Sequence, residues 1–387
     1  MRTVFLAWDY PFPPTRGDHY RAAGLISGLA ALGPVTVVTF SSPGESTVKP
    51  PANVSVISVP ANLPARVKGV LARTSLPQPL GVRLYWSPDL ARRVSALLQG
   101  EYDLAVCYQI RAAFYGRAVE ARRRILELTD SLARYRALAG RGVSTLDTWR
   151  RALLWAGVED LERFLPAHFD ETWVVSPEDA RYLRDVLGVS SPLRVVPQGC
   201  WPPVDLPPGV LAHRRSRPPR ALFLGNLAYP PNRDAVRYVA SEVLPALARR
   251  WSGSGTPPPE VWVAGGGWRG APGALPALRF LGFVPDLASL VAEVDLSLNP
   301  VRFGSGARSK VPESWRLGLP VVSSRVGAEG FRPGPALRIA DGPEELADAV
   351  HALLSEEAAY SAAVADALGR CREESWEKVV RAALGGG

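Results

Sequence analysis

Short apolar runs alternate with helical patterns along this 387-residue chain, and the alternation is interrupted once, by a proline-rich stretch. In the first half, the runs at residues 3–8, 35–40 and 54–59 are rich in β-branched residues, which is typical of strands buried in a parallel sheet. Between the first two runs, residues 19–32 repeat apolar side chains at helical spacing. The pattern therefore predicts an α/β fold in which helices connect parallel strands.

The proline-rich stretch spans residues 199–219 and contains three adjacent proline pairs. Proline fixes φ and lacks an N–H donor, so neither a helix nor a strand ladder continues through such a stretch. We predict a linker there, between a doubly wound domain at residues 1–198 and a second one at residues 220–365. The two domains are expected to face each other across a cleft, with ligands at the carboxyl ends of the strands.

The clearest ligand loop in the second half reads FGSGARSKVPE and lies between a predicted strand at residues 294–298 and a predicted helix. Gly304 and Gly306 allow close approach of the backbone, and a helix start presents free N–H groups to an anion. Arg308 and Lys310 add cationic donors, and a carboxylate one turn into the helix suits a pair of sugar hydroxyls. The loop favours a polyol bearing phosphates, and the alternative is an ordinary glycine-rich turn with solvated charges.

Three further loops follow predicted strands, and each is either a ligand loop or an ordinary surface turn. They are residues 11–18, 225–232 and 265–267, and they contain Gly17, Asn226 and Gly266 respectively. No GxGxxG fingerprint follows a strand and no GxxxxGKS/T motif occurs. These absences disfavour a dinucleotide-dependent oxidoreductase and a P-loop enzyme.

Few side chains outside these loops suggest catalysis. None of the four histidines has the spacing of metal ligands, and we expect no bound metal. His19 borders the first loop and is the histidine that we consider for function. No nucleophile motif of the GxSxG type is present. Asp130 follows a predicted strand, where it either reaches a ligand or caps the next helix.

The formal net charge is +8 and is carried mostly by arginine. A basic surface suits nucleic acid, an anionic membrane or an anionic substrate. No nucleic-acid-binding motif accompanies the arginines and no aromatic residues are interleaved with them, so we do not predict a nucleic-acid partner. For peripheral contact with an anionic membrane, the basic segment around Lys68 and Arg73 is the predicted surface.

The sequence also indicates the cellular compartment in which the protein is expected. No apolar run reaches the roughly 18–20 residues that span a bilayer. The first residues have one basic side chain and a short apolar run, which indicates a buried strand and not a signal peptide. Cys107, Cys200 and Cys371 lack paired spacing, which argues against a metal site or a disulfide framework and fits a reducing cytoplasm. We therefore expect a cytoplasmic protein, with the inner face of the membrane as its peripheral site.

The block from Phe303 to Ser324 resembles the donor-binding signature of retaining glycosyltransferases of family 4. The resemblance is carried by Arg308, Lys310, Glu313, Gly318 and the strand residues Pro320, Val321 and Val322. Residues 10–21, 128–131, 223–232 and 280–286 resemble a bacterial subgroup of sugar transferases. The resemblance covers nearly the whole chain and implies the GT-B fold, with two Rossmann-like domains.

It also implies an activity: transfer of a sugar from a nucleotide-sugar to an acceptor hydroxyl, with retention at the anomeric carbon and without a metal or cofactor. The donor is expected to be a UDP-sugar, with GDP- and dTDP-sugars as alternatives. The acceptor is a glycan, a lipid-linked sugar or a small natural product, bound by the first domain. The final helical segment, residues 366–387, is expected to pack back on that domain.

By resemblance, Arg308 and Lys310 are the catalytic residues, because they would bind the diphosphate and stabilise charge on the leaving nucleotide. Glu313 would hold the ribose hydroxyls, and Gly17 would approach the donor from the other domain. The remaining donor-binding residues are Asn226, Gly266, Phe283, Val284, Gly304, Ser305, Gly306 and Ala307. The acceptor-side candidates are His19, Arg21, Gln109, Arg111 and Asp130.

Three positions depart from the family pattern. Gly306 stands where many members have a glutamate that meets the donor sugar. Asn226 lies in a loop where a basic pair is usual, and Gln109 or Arg111 replaces a histidine. The first departure motivates an alternative: a nucleotide-sugar binding protein or a sugar epimerase of the same fold. The oligomeric state is not predicted.

Overall fold

The computed structural model describes residues 1–14, 16–40, 49–60, 79–98, 100–116, 119–139, 155–253, 255–268 and 278–385. The chain forms two compact units. The first unit comprises Met1–Gln198 together with Trp376–Gly387, and the second comprises Gly199–Ser375. The basic segment around Lys68 and Arg73 lies outside the described residues. No helix in the described ranges is long and apolar enough to cross a bilayer.

The first unit is built on a parallel sheet of seven strands in the order β3-β2-β1-β4-β5-β6-β7. The strands are β1 (Thr3–Ala7), β2 (Val35–Thr39), β3 (Val54–Ser58), β4 (Tyr102–Tyr108), β5 (Ala121–Thr129), β6 (Glu171–Val174) and β7 (Leu193–Val195). All five residues of β1 are buried, because helices cover both faces of a parallel sheet. The three predicted strands are therefore confirmed, and β1 and β2 are buried as expected, whereas β3 lies at the edge of the sheet and is not buried.

Between Met1 and Gln198, seven α-helices accompany this sheet in the described part of the chain. They are α1 (Gly17–Ala30), α2 (Leu80–Arg83), α3 (Pro88–Leu97), α4 (Gln109–Ala113), α5 (Leu132–Ala139), α6 (Val158–Phe164) and α7 (Pro177–Arg181). The sequence pattern at residues 84–99 also predicts a helix, and α3 begins later, at Pro88, because proline is favoured in the first helical turn. A long helical region is likewise predicted at residues 131–164, and part of it lies outside the described residues.

The second unit repeats the architecture with six parallel strands in the order β10-β9-β8-β11-β12-β13. They are β8 (Arg220–Leu224), β9 (Glu260–Ala264), β10 (Leu278–Gly282), β11 (Leu296–Asn299), β12 (Val321–Ser323) and β13 (Leu337–Ile339). Its helices are α8 (Val210–Arg215), α9 (Pro230–Tyr238), α10 (Leu244–Arg250), α11 (Lys310–Arg316), α12 (Pro343–Ser355) and α13 (Glu357–Glu373). Because proline suits only the first helical turn, Pro312 predicts a helix start near residues 309–311, and α11 begins at Lys310.

The predicted linker, residues 199–219, lies in the second unit and contains α8. Arg214 on this helix is 1% exposed, and it donates to the carbonyls of Val291 and Gly318 and to the hydroxyl of Tyr360. The prolines end regular structure, as expected, but the segment is anchored by these bonds. The boundary predicted at residue 366 falls inside α13, and the chain returns to the first unit at Trp376.

The last helix, α14 (Trp376–Ala383), packs against α1 in the first unit. Trp376 is 3% exposed. A Cβ at Gly24 would lie 1.9 Å from its indole ring, and a Cβ at Gly28 would lie 2.6 Å from Val380. These two glycines therefore form the surface on α1 that receives α14.

Cys200 and Cys371 form a disulfide within the second unit, although 171 residues separate them in the sequence. The prediction against disulfides is therefore wrong. The two cysteines meet because the start and the end of the unit run side by side, with the Cys200 amide donating to the Glu374 carbonyl at 2.8 Å. The cysteine pattern no longer supports a reducing compartment, and the cytoplasmic location stays a prediction.

The disulfide predicts how many thiols per chain react with a thiol reagent before and after reduction. Without reductant, one thiol per denatured chain should react with a thiol reagent, because Cys107 is free and buried. After reduction three should react, and the unfolding free energy should fall by about 2–4 kcal/mol, since the bond closes a long loop. As a control, Cys107→Ser should leave no reactive thiol before reduction. Three reactive thiols in the unreduced wild-type chain would contradict the pairing.

Candidate functional site

Four loops lie next to one another at the carboxyl edge of the second-unit sheet, which we call the second-unit edge. They follow β9, β8, β11 and β12, and these strands are consecutive neighbours in the sheet. Because all the strands are parallel, their carboxyl ends meet on one side. The topology thus brings together the predicted loops at residues 225–232, 265–267 and 303–310. We call the last of these the cation loop.

The loops after β8 and β9 are joined through their glycines. A Cβ at Gly265 would lie 1.9 Å from the Gly225 carbonyl oxygen, so a side chain is excluded there. The Leu227 amide donates to the Gly266 carbonyl at 2.8 Å. At Gly266 itself, a Cβ would meet only Phe283, at 3.9 Å. The backbone at Gly266 is therefore open beside the most exposed aromatic side chain of this edge.

Arg308 extends from the cation loop with unused donors. Gly304 has a φ of 123°, and a Cβ there would lie 2.6 Å from Nη2 of Arg308, so glycine makes room for the guanidinium. Nε and Nη2 of Arg308 are buried and have no hydrogen-bond partner among the described residues. Buried donors without partners are rare in folded proteins. Their presence here indicates an anion-binding position.

Lys310, at the start of α11, lies near Arg308. Its Nζ donates to Oδ1 of Asn232 at 2.8 Å and lies 4.4 Å from the ring centre of Phe223. Burial, with a further contribution from Arg308, lowers the pKa of Lys310 well below its usual value. In the described part of the chain, neither cation forms an ion pair with a carboxylate. Sequence reasoning missed Asn232 as a partner, because a neutral amide in a helix carries no motif signal.

Glu329 reaches the cation loop from the segment after β12. Its Oε1 accepts a hydrogen bond from the Gly306 amide at 3.1 Å. Ser324 accepts from the Gly327 amide at 3.0 Å, and Asn299 donates to the Gly327 carbonyl, so the segment is fixed to the end of β11. A carboxylate therefore lies beside Gly306. At the position of Gly306, many members of the glycosyltransferase family that the sequence resembles have a glutamate. Sequence reasoning missed Glu329, although it follows the next strand of the sheet.

The other predicted donor residues lie in the loops that follow β8, β10 and β11 and in α11. Glu313 is half-buried in the first turn of α11. Asn226 accepts from the Ala228 amide at 2.9 Å, while Phe283 is 62% exposed. Val284 is half-buried and packs on the apolar core beside β10. Ser305 and Gly306 are buried in the cation loop, and Ala307 is half-buried.

In the first unit, the loop after β1 and the start of α1 form a charged cluster. Arg16 donates to Asp9 at 2.9 Å and to Asp18 at 3.1 Å. Its Nη2 also lies 2.7 Å from Nε2 of His19. A guanidinium only donates, so this ring nitrogen accepts and His19 is neutral. Burial lowers the pKa of His19, and Arg16 adds to that effect.

Asp9, Asp18 and His19 have ligand atoms within 4.8 Å of one another, as metal ligands would. The Arg16 guanidinium, however, already binds all three side chains. A metal ion would have to replace this cation. The residues present therefore do not fit a metal site.

The remaining site residues predicted in the first unit differ in position and in burial. Gly17 is exposed at the start of α1. Gln109 follows β4 with a φ of 62°, a conformation that is uncommon for residues other than glycine. The guanidinium carbon of Arg111 lies 4.7 Å from the ring centre of Tyr85. Asp130 is half-buried after β5.

The helix that follows Asp130 is capped by other residues. Ser131 Oγ accepts from the Arg134 amide at 3.0 Å, and the Glu162 carboxylate accepts from the Leu132 amide at 2.7 Å. Burial raises the pKa of Glu162 to about 8, against the effect of these hydrogen bonds. The cap of α5 is thus built partly from a distant helix, which no local sequence pattern reveals.

Arg21, predicted on the acceptor side, has its donors used inside the first unit. Its side chain is 1% exposed and forms two hydrogen bonds with Glu127, at 2.8 and 3.0 Å. It also donates to the carbonyls of Val196 and Pro197. We assign Arg21 a structural role, because a buried and fully bonded guanidinium does not face a ligand.

Residues 218–356 match the family model described as glycosyl transferases group 1. A search of curated proteins found no match. Among solved structures, sucrose-phosphate synthase from Thermosynechococcus elongatus is 16% identical with a TM-score of 0.70, covering 99% of this chain and 97% of that chain. Anabaena HepE in complex with UDP and glucose is 15% identical with a TM-score of 0.68, covering 100% of each.

WaaG, a glycosyltransferase involved in lipopolysaccharide biosynthesis, is 16% identical with a TM-score of 0.65, covering 98% of each chain. Identity at this level shows a shared fold and no more. The two parallel sheets with flanking helices agree with these structures along the whole chain. The chain therefore has the two-domain GT-B fold, and residues 218–356 within its second unit match a group 1 glycosyltransferase domain.

Proposed function

We propose that the chain is a retaining glycosyltransferase that moves a sugar from a nucleotide-sugar to an acceptor hydroxyl. One observation carries the proposal: Arg308 and Lys310 lie together at the second-unit edge without a carboxylate partner among the described residues. In the rest of the described chain, the fully buried arginines have their donors used: Arg21 pairs with Glu127, and Arg214 donates to carbonyls and to the Tyr360 hydroxyl. A diphosphate would supply the missing negative charge.

The proposed mechanism depends on the atoms at which negative charge develops during the reaction. When the glycosidic bond of the donor breaks, negative charge builds on the leaving nucleotide diphosphate. Arg308 and Lys310 are already in place to stabilise that charge, so little reorganisation is needed at the moment of reaction. The leaving phosphate takes the proton of the acceptor hydroxyl, and no side chain is required as the base. In this mechanism the two cations supply the positive charge, and a metal is not required.

The remaining donor contacts use residues around the cations. Phe283, 62% exposed, offers a ring face to the nucleobase beside the open backbone of Gly266. Glu313 accepts hydrogen bonds from the ribose hydroxyls. The Anabaena HepE complex contains UDP and glucose, which supports a UDP-sugar donor here, with GDP- and dTDP-sugars as alternatives. We propose that hydroxyl-binding groups of the first unit, among them Asp18, His19 and Gln109, serve a glycan, a lipid-linked sugar or a small natural-product acceptor.

A direct test begins with a thermal-shift screen of UDP-, GDP- and dTDP-sugars, because a ligand that binds the folded state raises the melting temperature. The best donor is then incubated with a panel of acceptors, and the anomeric configuration of the product is read by NMR. Transfer with retention supports the proposal. Binding with no transfer, or with epimerisation of the sugar, would instead favour the alternative of a nucleotide-sugar binding protein or epimerase.

Glu313→Ala should weaken UDP binding by about 10- to 100-fold, the value expected for hydrogen bonds to a charged group. It should also remove the preference for UDP over 2′-deoxy-UDP, because the carboxylate recognises the ribose hydroxyls. Isothermal titration calorimetry measures both. Glu345→Ala is the matched control, since Glu345 occupies the first turn of α12 in the same unit. An unchanged preference in Glu313→Ala would contradict the assigned role.

A further inference from the structure

The side chain of Asn232 joins two loops of the second-unit edge. Its Oδ1 accepts from Lys310 Nζ at 2.8 Å, and its Nδ2 donates to the Asn226 carbonyl at 2.9 Å. Lys310 offers only donors and the carbonyl only accepts, so these two contacts fix the orientation of the amide. Asn232 is 8% exposed, and a Cβ at Gly225 would lie 2.6 Å from its Nδ2. The amide is therefore confined to this position.

This partner holds Lys310 without neutralising it. Arg217, a cation shielded from water in the same unit, is paired with the Asp295 carboxylate at 3.0 Å, and the buried Arg214 has its donors taken by backbone carbonyls and the Tyr360 hydroxyl. The charged group that acts on Lys310 is Arg308, which has the same sign. The face of the Phe223 ring contributes a weak attraction at 4.4 Å. The charge of the Lys310 ammonium is thus not compensated by a carboxylate and is available to a ligand.

We propose that Asn232 is a positioning residue of the donor site, which holds the Lys310 ammonium in place for the diphosphate while leaving its charge uncompensated. This inference rests on the proposed function. An aspartate at this position would have almost the same size and would accept the same hydrogen bond. It would, however, pair with the ammonium and repel a diphosphate. The neutral amide therefore favours an anionic ligand at this edge.

The test compares Asn232→Asp with Asn232→Ala by calorimetric titration with UDP and with uridine. Asn232→Asp should bind UDP about tenfold or more weakly, and its affinity for uridine, which has no phosphate, should not change. Asn232→Ala should lose less, because the charge of Lys310 stays available. Ser241→Asp is the control, since Ser241 is exposed after α9 and the substitution adds the same charge at a surface position of the same unit. Its UDP affinity should equal that of the wild type.

The pH profile separates positioning from a merely structural role. UDP needs the ammonium form of Lys310, so affinity should fall as pH rises through the lowered pKa of Lys310. Aspartate stabilises the ammonium and should move this fall to higher pH, whereas alanine removes an acceptor and should move it to lower pH. Opposite shifts are the expected signature. If one of the two Asn232 variants does not fold, the pH profile of the other can still be compared with that of the wild type.

Two results would overturn the inference, and they differ in what else they affect. If Asn232→Asp and wild type bind UDP equally, or if alanine is the more damaging change with no shift in the pH profile, Asn232 does not act through the charge of Lys310. The proposed function then stands. If the wild-type protein binds none of UDP, GDP and dTDP, the proposed function fails together with the inference.

Discussion

Replacing both Arg308 and Lys310 by alanine should lower kcat/KM for sugar transfer by about 10³-fold or more. Removing one preorganised donor from a developing negative charge typically costs about 10²- to 10³-fold. The two cations act on the same diphosphate, so their effects should not simply add. Steady-state kinetics with the best donor measures the loss. The single variants, measured alongside, show how the stabilisation divides between the two side chains.

The matched control is Arg302→Ala, six positions before Arg308 in the same connection. Arg302 is already compensated, because it forms two hydrogen bonds with Asp234 at 2.9 and 2.7 Å. Removing this compensated charge should leave kcat/KM nearly unchanged. Equal losses in the control and in the double variant would indicate a general effect of positive charge. A double variant with wild-type kinetics would reject the assigned site.

The largest effect on stability is expected at Arg21. Arg21→Ala leaves the Glu127 carboxylate, which is fully buried, without its cation. Breaking a buried ion pair by removing one partner typically costs about 3–5 kcal/mol, because an uncompensated charge remains in the interior. The variant also loses the bonds that fix Val196 and Pro197 at the end of the first unit. Urea denaturation and thermal melting should both report the loss.

Two comparisons sharpen this prediction. Arg122→Ala removes an exposed pair with Glu101, with 67% and 60% of the two side chains accessible, and should leave the free energy of unfolding nearly unchanged. The double variant Arg21→Met with Glu127→Leu removes both buried charges and should be more stable than Arg21→Ala alone. A single variant as stable as the wild type would show that the pair does not hold the first unit together.

Local sequence patterns were sufficient to predict the strands and the position at which α11 begins. Buried parallel strands are apolar throughout and rich in β-branched residues, so the runs that became β1, β2 and β9 are recognisable without tertiary information. Pro312 restricts where a helix can begin. Because ligand loops in such sheets follow the strands, the sequence also indicates which glycine-rich loops share the second-unit edge.

Contacts between distant segments were not predictable in this way. The disulfide joins cysteines 171 residues apart, and Arg21 meets a glutamate on β5. Nothing in the local pattern distinguishes a buried arginine from one that faces a ligand. Asn232 is likewise recognisable only once the folded chain brings it to Lys310, 78 positions away. These contacts between distant residues exist only in the folded chain, because the tertiary structure brings the segments together.

The return of α14 to the first unit has a consequence for synthesis on the ribosome. The surface of α1 around Gly24 and Gly28 is covered by Trp376 and Val380, which are translated only after the whole second unit. Domains usually fold in the order in which they emerge. Here the second unit is complete before the first has its final helix. A nascent chain stalled before residue 376 would therefore expose the uncovered face of α1, and it would be a substrate for chaperones until α14 is synthesised.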